Sequence, residues 1–126
     1  RKLAIVYHKT GRLQLAIAHY NKVLEIDSDN LKSLNDIAWI QATSHDLGIR
    51  NPKNAVILAE KACTITSYKS PEILDTLAAA YAASGQFDQA VKAIQKALEL
   101  VKTSDETEMI KKLQSSLKLY KNNSSH

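Results

Sequence analysis

The chain has 126 residues, a length that suits a single domain with its own core. Hydrophobic residues make up 44% of it and charged residues 24%, and the presence of only three glycines and two prolines favours helix throughout. The formal net charge is +4, but basic and acidic residues are interleaved rather than clustered, so we expect no nucleic-acid partner.

Residues 1–30 are predicted to form a helical hairpin that turns at Gly11. Small and apolar residues recur on both sides at helical spacing, namely Leu3, Ala4, Tyr7, Leu13, Ala16, Tyr20, Val23 and Leu24. The first helix has only about nine residues and is marginal unless it is packed. We therefore expect that this repeat is clipped at its start and that the chain is part of a longer protein.

Residues 31–69 are predicted to form a second hairpin. Asn30 can cap a first helix over residues 31–43, and Asn51 followed by Pro52 can start the second helix. The stripes expected to face inward are Leu34, Ile37 and Ala38, and then Ala55, Leu58, Ala59 and Ala62.

The turn of this second hairpin is predicted to be enlarged. Ala38 and Ala55 are 17 positions apart, whereas Ala4 and Ala16, the corresponding pair of the first hairpin, are 12 apart. Five extra residues must therefore lie within residues 44–50.

Residues 70–102 are predicted to form a third hairpin. Ser70 can cap its first helix, Pro71 suits the first helical position, and Gly85 marks the turn. The two stripes are Leu74, Leu77, Ala78 and Tyr81, and then Phe87, Ala90, Ile94 and Ala97. Ala78 is predicted to face Ala90, because small residues let two helix backbones approach closely.

A final helix is predicted over residues 103–120, with a polar tail over residues 121–126. Thr103 and Glu106 have the spacing of a capping box. The apolar residues of the helix share one side, and they are Met109, Ile110, Leu113, Leu117 and Tyr120. Such a helix is typical of the end of a helical repeat, where it covers the last apolar face.

The pattern of the third hairpin resembles the tetratricopeptide repeat, through the order Leu77, Ala78, Tyr81, Gly85, Phe87, Ala90 and Ala97. Ala38 also follows Ala4 by 34 residues, the period of that family. The resemblance covers Leu3 to Leu100. It implies an all-α, right-handed α-solenoid in which residues 1–120 form one domain of seven helices: a clipped repeat, two further repeats and a capping helix.

Residues around the enlarged turn resemble a tetratricopeptide subgroup associated with bacterial proteins. The matching segments are Ala38-Trp39, Ile49-Arg50-Asn51, Ala59-Glu60-Lys61-Ala62 and Asp75-Thr76-Leu77-Ala78. The chain departs from the family pattern at Gln41, which replaces the usual aromatic residue, and it lacks the proline that often ends a repeat. These departures weaken the match of the second repeat to the family pattern, but they do not change its assignment as a helical hairpin.

The resemblance also implies a binding surface, because the first helix of each hairpin would line a concave groove. Residues of these helices that point away from the hairpin stripe are the predicted peptide contacts. They form an apolar centre of Ile5, Trp39 and Ala79, with Asn35, Asp36, Asp75 and Thr76 on one side and His8, Lys9 and Thr43 on the other.

Two of these residues have alternative roles. Trp39 could instead pack against the neighbouring hairpin or the enlarged loop, and Asp75 could be a surface carboxylate satisfied by water or by Asn35. Some tetratricopeptide domains use basic residues and asparagines here to bind a C-terminal carboxylate, but apolar residues fill the asparagine positions in this chain. The acids Asp36 and Asp75 favour instead a ligand with a basic or amide-bearing segment.

No catalytic, metal or cofactor site is predicted. The chain shows no paired nucleophile and base, and its glycines stand singly, away from any phosphate-binding motif. Cys63 is the only cysteine and is expected to be a small core residue rather than a reactive thiol. No apolar run reaches the roughly 18 residues of a membrane span, so we expect no membrane contact by this domain. The histidines are scattered, at His8, His19, His45 and His126.

We therefore predict a non-catalytic module that binds a protein or peptide segment in the concave groove, as a monomer or a weak homo-oligomer. One alternative is a structural spacer or self-association unit, since Leu3 and Val6 would lack cover from an upstream repeat. Another is the substrate-recognition arm of an enzyme whose catalytic domain lies elsewhere. A cytoplasmic location is expected, with the periplasm as the alternative.

Overall fold

The computed structural model describes residues 12–124, which form six α-helices and contain no strand. The all-α helical-repeat fold is thus confirmed over this part of the chain. The first predicted helix, with Ile5, His8 and Lys9, lies outside the described residues. The helices are α1 (Leu13–Ile26), α2 (Leu31–Thr43), α3 (Pro52–Ile65), α4 (Pro71–Ala83), α5 (Phe87–Val101) and α6 (Thr107–Ser124).

Each helix packs against the next one in the chain, so that α2 with α3 and α4 with α5 form the two complete hairpins. α2 also contacts α4 directly. The first helices of successive hairpins are therefore neighbours, and together they form one wall of the molecule.

The core consists of one large cluster that extends from α2 to α6 and a smaller one around Tyr20, Ile37 and Ile49. Alanines occupy the closest helix contacts, where a small side chain lets the backbones approach. The alanines with no exposed surface are Ala16, Ala38, Ala55, Ala59, Ala62, Ala78, Ala80, Ala90 and Ala97.

Three helices begin at the caps that the sequence predicts. The side chain of Asn30 accepts a hydrogen bond from the Ser33 amide at 2.9 Å. Asn51 accepts one from the Asn54 amide at 3.2 Å, and Ser70 is in the same position at the start of α4. Each side chain satisfies one of the amide groups that a helix start leaves without a partner in the helix.

The enlarged turn between α2 and α3 links parts of both hairpins. Ile49 is buried in the smaller cluster and anchors the loop. The Arg50 guanidinium donates to the backbone oxygen of Ala42 at 3.0 Å and to that of Ala83 at 3.4 Å. These carbonyls lie in the last turns of α2 and α4, where helix carbonyls lack partners in the helix. Arg50 therefore helps to hold the ends of the two wall helices together.

The last helix differs from its prediction at both ends. It begins at Thr107, because the Ser104 hydroxyl donates to the Val101 oxygen and accepts from the Glu106 amide in a turn, so the predicted capping box does not form. It ends at Ser124 rather than near Tyr120. The predicted polar tail is wrong for residues 121–124, whose last turn is stabilised by a hydrogen bond from the Ser124 hydroxyl to Asp88 of α5.

Cys63 is fully buried, and we expect its thiol to be unreactive in the folded chain. Burial first, and then the charge of Glu60, raises the pKa of this thiol to about 12, so the reactive thiolate is almost absent at mildly alkaline pH. Alkylation by iodoacetamide should be slower than in guanidinium chloride by roughly a hundredfold or more, as followed by mass spectrometry. Equal rates in the two conditions would contradict this burial.

Candidate functional site

The wall formed by α2 and α4 meets α6 around an open cavity of about 310 Å³. Five of the ten predicted peptide contacts line it, because positions three and four apart on a helix share a face. The lining residues are Asn35, Asp36 and Trp39 of α2, Glu72, Asp75 and Thr76 of α4, and Met109 and Lys112 of α6.

Two predicted contacts lie outside this lining. Ala79 is only 9% exposed and packs in the large core cluster, so it offers little surface to a ligand. Thr43 is exposed at the end of α2, and its hydroxyl donates to the Trp39 backbone oxygen at 2.7 Å. The centre of the described cavity is therefore Trp39, without the alanine expected beside it.

Asp75 is a buried carboxylate with a cationic partner. It is 5% exposed, and its Oδ2 lies 3.1 Å from the Nζ of Lys112, whose side chain is 59% exposed. This lysine belongs to the capping helix, whereas the alternative role for Asp75 named only water or Asn35 as partners. A buried carboxylate requires such a partner, because removing it from water without compensation costs several kcal/mol.

Trp39 packs against the core and also faces the cavity. Its side chain is partly buried and packs against the large core cluster. Its ring also faces the cavity, where the Lys112 Nζ lies 5.4 Å from the ring centroid. That distance is within the roughly 6 Å over which an aromatic face attracts a cation.

Asn35 also lines this cavity, and its side chain carries a buried acceptor. Its Oδ1 is shielded from solvent, and no described residue donates a hydrogen bond to it. An unsatisfied buried acceptor typically costs about 1 to 3 kcal/mol. Because this oxygen is shielded from solvent, a ligand donor can reach it only if the Asn35 side chain turns toward the cavity.

The capping helix contributes lining residues that the sequence did not predict for the site. Met109 was predicted only for the apolar stripe of this helix, and Lys112 was assigned no role. A signal for Lys112 exists in the sequence, since it directly precedes the buried Leu113 and lies at the edge of that stripe. A lysine at such an edge can extend its stem along the apolar surface and place its charge beyond it.

Chemically, the cavity is suited to binding a group rich in N–H donors or positive charge. Among the described residues, its lining includes the carboxylates of Glu72 and Asp75 and the ammonium group of Lys112. Among residues 12–124 no cluster of histidine, cysteine or acidic side chains has a geometry that could bind a metal ion. None of the described helices is both long enough and apolar enough to cross a membrane.

Comparison with protein families gives two matches, both described as tetratricopeptide repeats. One covers residues 71–104 and the other residues 2–30, and together they span half of the chain. The unmatched stretch between them contains the hairpin with the enlarged turn. A search of curated proteins gives no match. With these two repeats and its all-α hairpin architecture, the chain belongs to the tetratricopeptide repeat family, whose repeats generally mediate protein–protein interactions.

Proposed function

We propose that this domain binds an extended segment of a partner protein in the cavity between α2, α4 and α6, and that it does so without catalysing a reaction. The observation that supports this most directly is the convergence of Asn35, Trp39 and Asp75 on one open cavity. An acceptor, an aromatic face and a carboxylate are the groups that a peptide with free N–H donors and a long side chain would engage.

The missing donor at Asn35 and the exposed ring face of Trp39 support binding over a purely structural role. The buried Oδ1 of Asn35 lacks a donor among the described residues, whereas an extended peptide carries a backbone N–H at each non-proline residue. The Trp39 ring is partly exposed toward the cavity and offers a large amphipathic surface of the kind found in interface hot spots. A spacer would gain nothing from either feature.

We expect Trp39→Ala to weaken binding of a selected peptide by about 1 to 2 kcal/mol, or roughly 5- to 30-fold in Kd, because it removes the central contact surface. A random peptide library displayed on phage and selected on the wild-type domain supplies the ligand, and calorimetry measures its affinity. Lys92→Ala, on an exposed position of α5 outside the cavity lining, is the matched control and should change Kd less than twofold.

Trp39 also packs on the core, so Trp39→Ala could affect folding as well as binding. Asn35→Leu separates the two effects. Replacing an unsatisfied buried acceptor by an apolar group of similar shape is neutral or stabilising, so the melting temperature should not fall while peptide affinity does. If no peptide is enriched, or if Lys92→Ala weakens binding more than Trp39→Ala, the groove proposal is wrong and the spacer function replaces it.

A further inference from the structure

We propose that the cavity recognises a lysine or arginine side chain of the partner segment, and that Lys112 occupies the place of this side chain in the unbound domain. This inference rests on the proposed function and specifies the chemistry of the partner. It makes α6 a capping helix that also competes for the binding site.

The position of the Lys112 ammonium group carries the proposal. Its Nζ is 3.1 Å from Oδ2 of Asp75 on α4 and 5.4 Å from the ring centroid of Trp39 on α2. A carboxylate beside an aromatic face binds an alkylammonium or guanidinium group through a charge-assisted hydrogen bond and a cation–π contact. The two wall helices therefore already form a site for one cationic side chain.

The two partners of this ion pair differ in how readily they can leave it. Asp75 is 5% exposed and belongs to the wall, whereas the Lys112 side chain is 59% exposed and approaches from the solvent side. Lysine has a flexible stem and a strongly hydrated head, so Lys112 can turn toward water once another cation takes its place beside Asp75. The carboxylate has no comparable route to solvent.

When Lys112 is displaced, Asp75 needs another positive charge beside it. An apolar or acidic side chain would leave Asp75 buried without a counter-charge, which is strongly unfavourable. Glu72 lines the same cavity and adds to its preference for a positively charged partner. Only a cationic side chain restores the interaction that Lys112 gives up.

Asn35 supplies a second and independent observation. Lys112 does not donate to its buried Oδ1, so the internal lysine satisfies only part of the site. A peptide can bring a cation for Asp75 and, when the Asn35 side chain turns toward the cavity, a backbone or guanidinium N–H for its amide oxygen. A partner segment therefore offers contacts that the internal lysine does not make.

The test compares peptide selection on the wild type and on Lys112→Ala with a random dodecapeptide phage library. We expect both selections to enrich lysine or arginine at one position. The enriched peptide, titrated against the fluorescence of Trp39, the only tryptophan, should bind Lys112→Ala roughly five- to tenfold more tightly than wild type. Replacing its basic residue by norleucine or citrulline should weaken binding at least about tenfold.

Two matched variants of α6 serve as controls. Lys111→Ala makes the same charge change at an exposed neighbour that does not line the cavity, and should alter Kd less than twofold. Lys112→Arg keeps a cation on the site and should retain wild-type affinity. Circular dichroism spectra establish that each variant is folded.

The outcomes separate this inference from the proposed function. Enriched peptides without a basic residue, whose binding still requires Trp39, would overturn the inference and leave the proposed function standing. Unchanged or weaker binding of a basic peptide to folded Lys112→Ala would also overturn it. Enrichment of no peptide by either protein would overturn both.

Discussion

A chain that ends at Val101 is expected to aggregate, or to melt roughly 8 °C or more below the full-length chain. The physical reason is that α6 is part of the core as well as a cover for it. Leu113 has no exposed surface and belongs to the large cluster, against which Met109, Ile110, Leu117 and Tyr120 also pack. Removing α6 would expose the apolar side of α5 around Ile94 and Leu98, and an apolar patch of that kind promotes association.

A single substitution tests the same point in a chain of full length. Leu113→Ala should lower the free energy of unfolding by about 2 to 5 kcal/mol, since it combines lost burial with a cavity. Its neighbour Gln114 is exposed, and Gln114→Ala should change stability by less than about 0.5 kcal/mol. Urea denaturation measures both values. A truncated chain that stays monomeric with an unchanged melting temperature would contradict the capping role of α6.

Much of the fold could be predicted because its determinants are local in sequence. Three helices begin where a cap side chain accepts a hydrogen bond from the amide three residues ahead, at Asn30, Asn51 and Ser70. Such caps can be recognised from neighbouring residues alone. The spacing of Ala38 and Ala55 likewise predicts the enlarged turn, which the structure places at residues 44–51. The predicted start of α6 was wrong because the Ser104 hydroxyl forms local hydrogen bonds in a turn. This turn competes with the capping box.

The site was predictable only in part, because it depends on how three helices are placed in space. Helical spacing puts Asn35, Asp36 and Trp39 on one face of α2 and Asp75 and Thr76 on one face of α4, so these five cavity residues could be predicted. The position of α6 over this wall follows from packing on α5, and no sequence period encodes it. For that reason the pairing of Lys112 with Asp75 could not be predicted.

Two features of the cavity lower the stability of the domain, and the proposed binding function would account for them. The buried carboxylate of Asp75 has an exposed lysine as its counter-charge, and no described residue donates to the buried amide oxygen of Asn35. Both arrangements cost free energy that an apolar wall would avoid. Natural sequences depart from the most stable choice mainly at functional sites. Asp75 and Asn35 are two such departures within one cavity.

The contact between α4 and α5 gives the other large expected effect. Ala90→Leu should destabilise the domain by about 1 to 3 kcal/mol, because it adds three heavy atoms where α4 and α5 pack. Ala78 and Ala90 both have no exposed surface, and α4 and α5 make the most extensive contact among the described helices. Gln95→Leu places the same side chain on an exposed position of α5 and should change the unfolding free energy by less than about 0.5 kcal/mol.

The double variant decides whether Ala78 and Ala90 face each other, as the sequence predicts. If they do, the leucine introduced at either position pushes α4 and α5 apart, and the second leucine then enters space that is already open. Ala78→Leu combined with Ala90→Leu should therefore cost less than the sum of the two single variants, by about 0.5 kcal/mol or more. Additive costs in urea denaturation would mean that the two alanines contact different neighbours, and a neutral Ala90→Leu would mean that the helices are not in close contact there.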